Sequence, residues 1–447
     1  MNKSLVEGNI RKALWAYTIP LLGSVVFQQL YNLADSVVAG RFIGELALAA
    51  VGNASEITLI YTAFAVGSNV ACSVIASQFF GAKDYKSLKT AISTSFVSFA
   101  VLCVVLMGLG FSCLIPMLHL INTPDTIFQD SLDYLYIYTA GMPFVFFYNI
   151  CTGVFSAMGD SKTPFIFLAI SSISNILMDI LFVSAFNMGV KGVAWATFIC
   201  QGLSCLLAVT FLYLKLRKLE SEKYEKFSKV ILKKLLIVAI PSILQQLSVS
   251  IGNIAIQSVV NNYGDSIIAG YTAAIKLINI VTSSFFAVAN GVSAYVAQNI
   301  GAKSLDRIKG GFNWGQVLAW IVAVPLFIAF MFFGKYTVGL FLDTNSSTEA
   351  LNTGITMLKV ISPFYFVVSA KIVADGALRG SGDMKHFMLS TFTDLFVRVA
   401  CVFIFTRFMG VNGVWWSWPV GWILGMLVAV GSFYSGKWKK YSNLIVG

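Results

Sequence analysis

The sequence predicts an all-α polytopic membrane protein with twelve transmembrane helices in two six-helix lobes, related by a pseudo-two-fold axis along the membrane normal. Of the 447 residues, 57% are hydrophobic and 11% are charged, with a mean hydropathy of +0.79. A soluble domain carries about a quarter charged residues. Apolar stretches of about 20 residues, the length that spans a bilayer, recur along the whole chain. The second half of the chain also repeats motifs of the first half.

The predicted spans follow directly from the apolar stretches. They are 13–39, 47–79, 90–115, 128–156, 164–186, 190–214, 235–261, 267–299, 311–333, 351–378, 387–408 and 411–434. No cleavable signal peptide is predicted, because the first stretch is too long and contains Gln28, Gln29 and Asp35. The seven cysteines all fall inside spans without metal-like spacing, which indicates packing residues.

Four motifs recur at offsets of 220 to 223 residues. Gln78-Phe79-Phe80-Gly81-Ala82-Lys83 returns as Gln298-Asn299-Ile300-Gly301-Ala302-Lys303, Ile19-Pro20 as Ile240-Pro241, Gly189-Val190-Lys191-Gly192-Val193 as Gly410-Val411-Asn412-Gly413-Val414, and Gly159-Asp160 as Gly382-Asp383. Many secondary transporters consist of duplicated apolar halves with a binding site between them near the midplane. We therefore predict an amino-terminal lobe (1–215), a charged cytoplasmic linker (216–230) and a carboxyl-terminal lobe (231–447).

The repeated Gly-Ala-Lys sequences have a structural interpretation. Gly81 and Gly301 are expected to end long helices in left-handed caps, with Lys83 and Lys303 near the negative helix ends.

The net charge of +11 indicates topology rather than nucleic-acid binding. With the amino terminus in the cytoplasm, the inner segments hold 23 of the 31 lysines and arginines, and the outer loops hold four. This asymmetry predicts that both termini are cytoplasmic. The basic inner segments are expected to contact anionic lipid.

Span one carries a polar stripe. Gln28, Asn32 and Asp35 are spaced i, i+4, i+7 and share one helix face, with Tyr31 beside them. An ionised Asp at the bilayer centre costs roughly 2.5–3.5 kcal/mol, which makes such a residue a functional candidate. Interhelical hydrogen bonding is the alternative interpretation. Pro20 removes a backbone hydrogen bond and predicts a bend in this helix.

Span five carries a second carboxylate. Asn175 and Asp179 are spaced i and i+4 and share a face. Two buried carboxylates with amide and hydroxyl neighbours can share a proton or supply oxygen ligands to a small cation. Both possibilities stay open from the residues alone.

The second half contains oppositely charged pairs. Lys371 and Asp375 are spaced i, i+4, as are Asp394 and Arg398, and mutual neutralisation is the simplest interpretation. Glu56 and Lys276 are related by the 220-residue offset and have opposite charges, and a contact between or within the lobes is a further hypothesis.

Aromatic residues lie in the segments expected to line a cavity, where they could attract a lipophilic cation or simply pack. They are Phe27, Tyr31, Phe144, Phe147, Tyr148, Phe285, Phe286, Phe364 and Tyr365. A phosphate-binding loop of the form GxxxxGK[ST] is absent, and the chain has two histidines, His119 and His386. Direct drive by ATP and an enzyme with an intramembrane histidine base are therefore disfavoured.

These motifs together resemble the multidrug and toxic compound extrusion (MATE) family, in the branch of Gram-positive bacterial multidrug pumps. The residues that carry the resemblance are Ile19-Pro20, the run 34–40, both GlnxxGlyAlaLys motifs, Met158-Gly159-Asp160, Asn175xxxAsp179 and Leu378-Arg379-Gly380-Ser381-Gly382-Asp383. The resemblance covers the whole chain.

The resemblance implies two six-helix lobes that alternate between outward-open and inward-open states, and no enzymatic activity. It maps cation coupling to Asp35, Asn175, Asp179, Thr197 and Tyr134, with Asp35, Asn175 and Asp179 as ligands if the ion is Na⁺. It places drug contact at Gln28, and we add Tyr31, Phe147, Tyr148 and Asn149 as candidate substrate contacts. Gln245 and Gln246 stand where NorM-type relatives have a span-seven carboxylate, and Asp375 is displaced from their span-ten acid, which favours coupling in the first lobe.

The expected function is efflux of small cationic lipophilic compounds across a bacterial cytoplasmic membrane by antiport with H⁺ or Na⁺. No cofactor is expected, and the protein is expected to act as a monomer. A flippase for a lipid-linked saccharide, from the same broad superfamily, is the alternative transporter, although such proteins need a cationic central cavity. A membrane enzyme or receptor is the remaining class.

Overall fold

The computed structural model describes residues 5–38, 43–342 and 347–440, and for 30–38 and 45 it describes the backbone only. Fourteen α-helices are present in these residues, and no strand is found among them. They are α1 (Ile10–Val38), α2 (Glu45–Gly81), α3 (Tyr85–Leu120), α4 (Asp125–Ala157), α5 (Lys162–Ile180), α6 (Gly189–Arg217), α7 (Lys229–Val260), α8 (Asp265–Gly301), α9 (Asp306–Phe332), α10 (Gly334–Gly339), α11 (Thr348–Ile361), α12 (Tyr365–Ser381), α13 (Met384–Met409) and α14 (Asn412–Tyr434).

Twelve long helical segments within these ranges correspond to the twelve predicted spans. Nine are α1 to α9, one is α11 joined to α12 by a 3₁₀ turn at Ser362–Phe364, and the last two are α13 and α14. Ten of the segments have the length and composition of a membrane span, and α4 becomes the eleventh when its two parts, bent by 48°, are counted as one. The predicted class, an all-α polytopic membrane protein, is confirmed.

The sharp bend of α4 has a local cause. Its two straight parts are Asp125–Ala140 and Met142–Ala157. Pro143 follows the break and lacks the N–H that would bond the carbonyl of Thr139, so the helix loses a hydrogen bond at this point. α1 contains Pro20 within its continuous helical range, and the hydroxyl of Ser24 donates to the Pro20 carbonyl at 3.0 Å.

The prediction that Gly81 and Gly301 form left-handed caps is wrong by two residues. The left-handed residues are Lys83 (φ 59°) and Lys303 (φ 57°). In the first copy the N–H of Lys83 bonds the Phe80 carbonyl at 3.1 Å, and the N–H of Asp84 bonds the Phe79 carbonyl at 3.0 Å. This is the Schellman arrangement, with the lysine in the position that glycine usually occupies.

Contacts divide the chain into two compact units. Unit 1 contains Ile19–Ile243, and unit 2 contains Leu5–Thr18 together with the chain from Leu244 onward. The division therefore passes through the first helix of each repeat, next to Pro20 in α1 and next to Pro241 in α7. The predicted boundaries at 215 and 231 follow the sequence repeat. By contacts, the start of α1 belongs to unit 2, and the start of α7 belongs to unit 1.

Within unit 2, the end of α8 fixes the segment that precedes α1. The N–H of Leu5 donates to Gln298 Oε1 at 3.2 Å, and Asn299 Nδ2 donates to the Leu5 carbonyl at 3.3 Å. Arg307 Nη2 donates to the Gly8 carbonyl at 3.0 Å. The second GlnxxGlyAlaLys copy therefore has a structural role, since it satisfies backbone groups of the amino-terminal segment.

Within unit 1, the segment between α6 and α7 is bonded along α3. The hydroxyls of Thr90 and Thr94 accept from the N–H groups of Glu225 (3.2 Å) and Ser228 (3.1 Å). Lys89 Nζ donates to the Leu219 carbonyl at 2.7 Å. The charged connection is therefore an ordered part of unit 1.

Candidate functional site

The candidate acid of unit 1 is completely buried near the end of α5. Asp179 has 0% exposed surface, and Asn175, one turn earlier on the same face, has 1%. One residue after Asp179, α5 ends and a π-helical turn (Leu181–Ala185) begins. Such turns occur often at functional sites. No signal in the sequence indicated this turn.

α6 packs against this part of the chain. At Gly192 of α6, a Cβ would lie 3.2 Å from the Cβ of Phe182 in the π-helical turn, so the glycine permits close approach. Farther along α6, Thr197 is 3% exposed. Because α6 packs on both α4 and α5, it connects the helices that carry the other candidate residues.

Tyr134 lies on α4 and is also buried, with 8% exposed. Its ring stacks on Tyr138, with centroids 6.2 Å apart. Tyr138 in turn lies beside Thr58, Thr62 and Gln201. The structure thus places Tyr134, Asn175, Asp179 and Thr197 in the interior of unit 1, on three helices that pack together.

The remaining predicted coupling residue lies on α1. The side chains of Asp35 and Tyr31 fall outside the described residues, and the described part of α1 contributes Gln28, which is exposed. Among the described residues, no group of three His, Cys, Asp or Glu side chains is placed to hold a metal ion.

The candidate substrate contacts on α4 lie in half-buried positions. Phe147 stacks on Phe96 with ring centroids 5.7 Å apart. The hydroxyl of Tyr148 donates to the Pro164 carbonyl at 3.4 Å, and Asn149 Nδ2 donates to the Val145 carbonyl at 2.8 Å. The contacts seen for these three side chains are therefore with unit 1 itself.

The charged pairs predicted for the second half are confirmed. In unit 2, Lys371 Nζ lies 3.0 Å from Asp375 Oδ2, and Arg398 Nε lies 3.8 Å from Asp394 Oδ1. The structure adds an ion pair between helices, since Lys371 Nζ on α12 also lies 3.5 Å from Asp394 Oδ2 on α13. Spacing along one helix could not indicate this pair. Glu56 and Lys276 are each exposed on their own unit.

Within the described residues, up to eleven helices long and apolar enough to cross a membrane, together with a duplicated sequence and a buried acid inside one span, define a multi-pass membrane protein of the transporter class. The sequence profile of the MatE family matches residues 20–181 and again 241–404. The chain therefore belongs to the MATE (multidrug and toxic compound extrusion) family, whose members are transporters. The two matches begin 221 residues apart and so confirm the internal repeat.

Individual relatives agree with this assignment. The chain is 30% identical over 435 residues to a Bacillus subtilis protein named probable multidrug resistance protein YpnP, covering 97% of each chain. It is 28% identical to the B. subtilis probable multidrug resistance protein YoeA, covering 97% of this chain and 95% of the relative. Its fold is similar to that of a MOP superfamily transporter from Pyrococcus furiosus, with a TM-score of 0.91, 23% identity and 98% of each chain covered.

Proposed function

We propose that this protein is a secondary active multidrug efflux transporter. It exports small cationic amphiphilic compounds from a bacterial cell by antiport with H⁺ or Na⁺ and by alternating access. The observation that carries the proposal is Asp179, a carboxylate with 0% exposed surface within an apolar span of a MATE chain. A residue that costs free energy in a bilayer is retained where it serves ion or substrate movement.

Asp179 and Asp35 carry the coupling ion in this mechanism. Either carboxylate holds a proton, or both supply oxygens to Na⁺ with Asn175, while Thr197 and Tyr134 border the same site. Neutralising the carboxylates changes which state of the transporter is favoured, because the ion binds one state more tightly than the other. Bending of α1 at Pro20 accompanies that change, and drug is released outward.

The energy available supports a modest drug gradient. One elementary charge that crosses about 100 mV carries about 2.3 kcal/mol, which corresponds to a gradient of roughly 40-fold. If one monovalent cationic drug leaves for each ion that enters, the exchange is electroneutral. The chemical gradient of the ion then supplies the drive.

The substrate contacts proposed for the drug are Gln28, Tyr31, Phe147, Tyr148 and Asn149. Aromatic rings attract a lipophilic cation through their π faces, and the exposed Gln28 offers an amide. The protein would act in the cytoplasmic membrane as a monomer without a cofactor, with both termini in the cytoplasm. Its partners would be lipid and its substrates.

Purified protein in proteoliposomes tests the proposal. Export of the cationic dye ethidium is followed with a pH gradient or a Na⁺ gradient imposed separately, and one of the two gradients should drive it. Asp179→Asn and Asp35→Asn should each abolish gradient-driven export while the protein still inserts. Glu56→Gln removes an exposed carboxylate of the same unit and should transport normally.

Dye export that continues unchanged in both Asp→Asn variants would overturn the ion-coupling role. Export that ignores both gradients would overturn antiport altogether, and translocation of a lipid-linked saccharide instead would favour the flippase alternative.

A further inference from the structure

Unit 2 contains a cavity that the proposed ion coupling in unit 1 does not use. Its volume is about 70 Å³, and it lies among α7, α8, α12, α13 and α14. Its polar lining includes Asn253, Lys371, Asp394, Arg398 and Trp418, and Phe286 and Trp422 contribute apolar walls. One water molecule needs about 10–15 Å³ of such cavity volume. The cavity therefore has room for five to seven water-sized groups.

Asp394 lies between two cations without a hydrogen bond to either. Its Oδ2 is 3.5 Å from Lys371 Nζ and its Oδ1 is 3.8 Å from Arg398 Nε, and both distances exceed those of good charged hydrogen bonds. Lys371 has a closer partner in Asp375, at 3.0 Å. Of the two carboxylates in this cluster, Asp394 is therefore the one with the longer ion-pair distances.

The same cluster contains buried donors and a buried acceptor that have no hydrogen-bond partner. Arg398 Nε and Trp418 Nε1 are buried donors without a hydrogen-bond partner, and Asp394 Oδ1 is a buried acceptor without one. The guanidinium carbon of Arg398 lies over the Trp418 ring, 4.5 Å from the ring centroid, so the two donors belong to side chains in contact with each other. Buried polar atoms without partners cost free energy, so a group that satisfies all three would bind favourably.

Glycines create the space for these charged side chains. A Cβ at Gly421 would lie 2.8 Å from Asp394 Oδ1, and one at Gly425 would lie 2.7 Å from Lys371 Cε. Both glycines are on α14, one turn apart, so they form a groove along the helix. The charged cluster is therefore built into the packing of α12, α13 and α14.

The charge of the cluster selects among ligands. Among the four side chains that the ion pairs join, Lys371 and Arg398 balance Asp375 and Asp394, so these four have a formal charge of zero; the nearby Arg379 is outside these pairs and donates to Asn290. A lone anion or a lone cation would leave one uncompensated charge in a buried site, which is costly. A zwitterion adds no net charge and matches the leftover atoms. Its carboxylate accepts from Arg398 and Trp418, and its ammonium donates to Asp394.

We propose that this cavity, which is partly open rather than enclosed, binds the zwitterionic head of an amphiphile, an ammonium next to a carboxylate, while the apolar tail extends from the cavity mouth. The five heavy atoms of an α-amino acid head fit the available volume. The proposal adds a binding site in unit 2 to the proposed efflux function and is independent of the ion-coupling role of unit 1.

Three ligands of one shape test the site in the purified full-length protein. L-Phenylalanine carries both charges, phenethylamine only the ammonium, and 3-phenylpropionate only the carboxylate. Binding of tritiated phenylalanine is measured by equilibrium dialysis, and the other two compete against it. Phenylalanine should bind about tenfold or more tightly than either analogue.

Variants of the cluster should change the preference in opposite directions. Arg398→Gln leaves a net negative site and should favour phenethylamine, whereas Asp394→Asn leaves a net positive site and should favour 3-phenylpropionate. Trp418→Phe keeps an aromatic ring at this position and removes the indole N–H donor, so phenylalanine should bind several-fold more weakly. Lys276→Gln changes an exposed charge elsewhere on unit 2 and should bind like the unaltered protein.

Absence of phenylalanine binding at millimolar concentration would overturn the proposal, as would equal binding of the three ligands. Variants that keep the original order of affinities would also overturn it. The binding assay is separate from the export assay. If Asp179→Asn loses ethidium export but still binds phenylalanine, the site in unit 2 is retained. If phenylalanine does not bind but export depends on Asp179, the ion-coupling role of unit 1 is retained.

Discussion

Lys215 Nζ lies 2.6 Å from Asp160 Oδ2 and so ties the end of α6 to the turn between α4 and α5. Asp160 also accepts from the N–H of Thr163 at 3.1 Å and from its hydroxyl at 2.8 Å, which stabilises the start of α5. In the second copy of this turn, Asp383 accepts from the N–H of His386 at 3.2 Å at the start of α13. In each repeat, the aspartate of the Gly-Asp motif therefore accepts from a backbone N–H in the first turn of the helix that follows.

Replacing Asp160 should destabilise the protein in a pH-dependent way. Burial raises the pKa of Asp160, but the hydrogen bonds from Lys215 and Thr163 and the lysine charge outweigh it, so the pKa lies below its ordinary value. A carboxyl with a lowered pKa stabilises the folded state above its unfolded-state pKa and loses that contribution as the pH falls through the folded-state pKa. The contribution should therefore begin to decrease below about pH 4 and be lost as the pH falls through the lower folded-state pKa.

Asp160→Asn should cost about 1.5–3 kcal/mol at neutral pH, the range for hydrogen bonds to a charged group. Thermal unfolding in detergent measures this, and the difference from the unaltered protein should shrink as the pH falls below about 4. Glu222→Gln is the matched control, because its ion pair with Lys86 is exposed, with side chains 82% and 53% accessible. It should change stability by less than about 1 kcal/mol. Equal losses in the two variants would contradict the prediction.

Close approach of α8 and α12 depends on glycine. A Cβ at Gly380 would lie 2.3 Å from the Ser293 carbonyl oxygen, and one at Gly376 would lie 2.4 Å from that of Ala289. Since backbone cannot move aside cheaply, Gly380→Ala should cost about 1–3 kcal/mol. Gly108→Ala, at an exposed helical position with no atom within 4 Å, should be neutral or stabilising. Melting temperatures of the two variants compare the sites directly, and equal values would contradict the close contact.

The left-handed lysines allow a test of the repeated cap. A β-branched residue is strained at positive φ, whereas glycine is not. Lys303→Val should therefore lower stability by about 1–2 kcal/mol, and Lys303→Gly should leave it equal or raise it. The same order is expected at Lys83. Denaturation of the purified variants measures the order, and a valine variant as stable as the glycine variant would contradict the backbone argument.

The sequence predicted the features that leave a periodic or local pattern. The lengths of the apolar stretches predicted the spans, and the recurring motifs predicted the duplication. The i, i+4 spacing predicted the ion pairs Lys371–Asp375 and Asp394–Arg398. Features that depend on how helices meet were not predicted. The 3.5 Å pair between Lys371 and Asp394 joins two helices, and the cavity around it needs glycines on a third. The π-helical turn after Asp179 also has no local sequence signal.

Pro20 and Pro241 occupy equivalent positions in the repeat, and this equivalence supplies a control for the proposed bend of α1. Pro20→Ala restores an N–H that can bond the carbonyl of Ala16, which stabilises the straight helix by about 0.5–1.5 kcal/mol. If bending accompanies ion binding in unit 1, ethidium export should slow by about twofold to tenfold. Binding of ethidium to the purified variant should change little, since the substitution shifts the balance of states and leaves the substrate contacts in place. Pro241→Ala makes the same change in α7, whose helix carries neither Asp35 nor Asp179, and should slow export less. Equal slowing in both variants would show that the two prolines act alike, and no slowing in Pro20→Ala would remove the bend of α1 from the transport cycle.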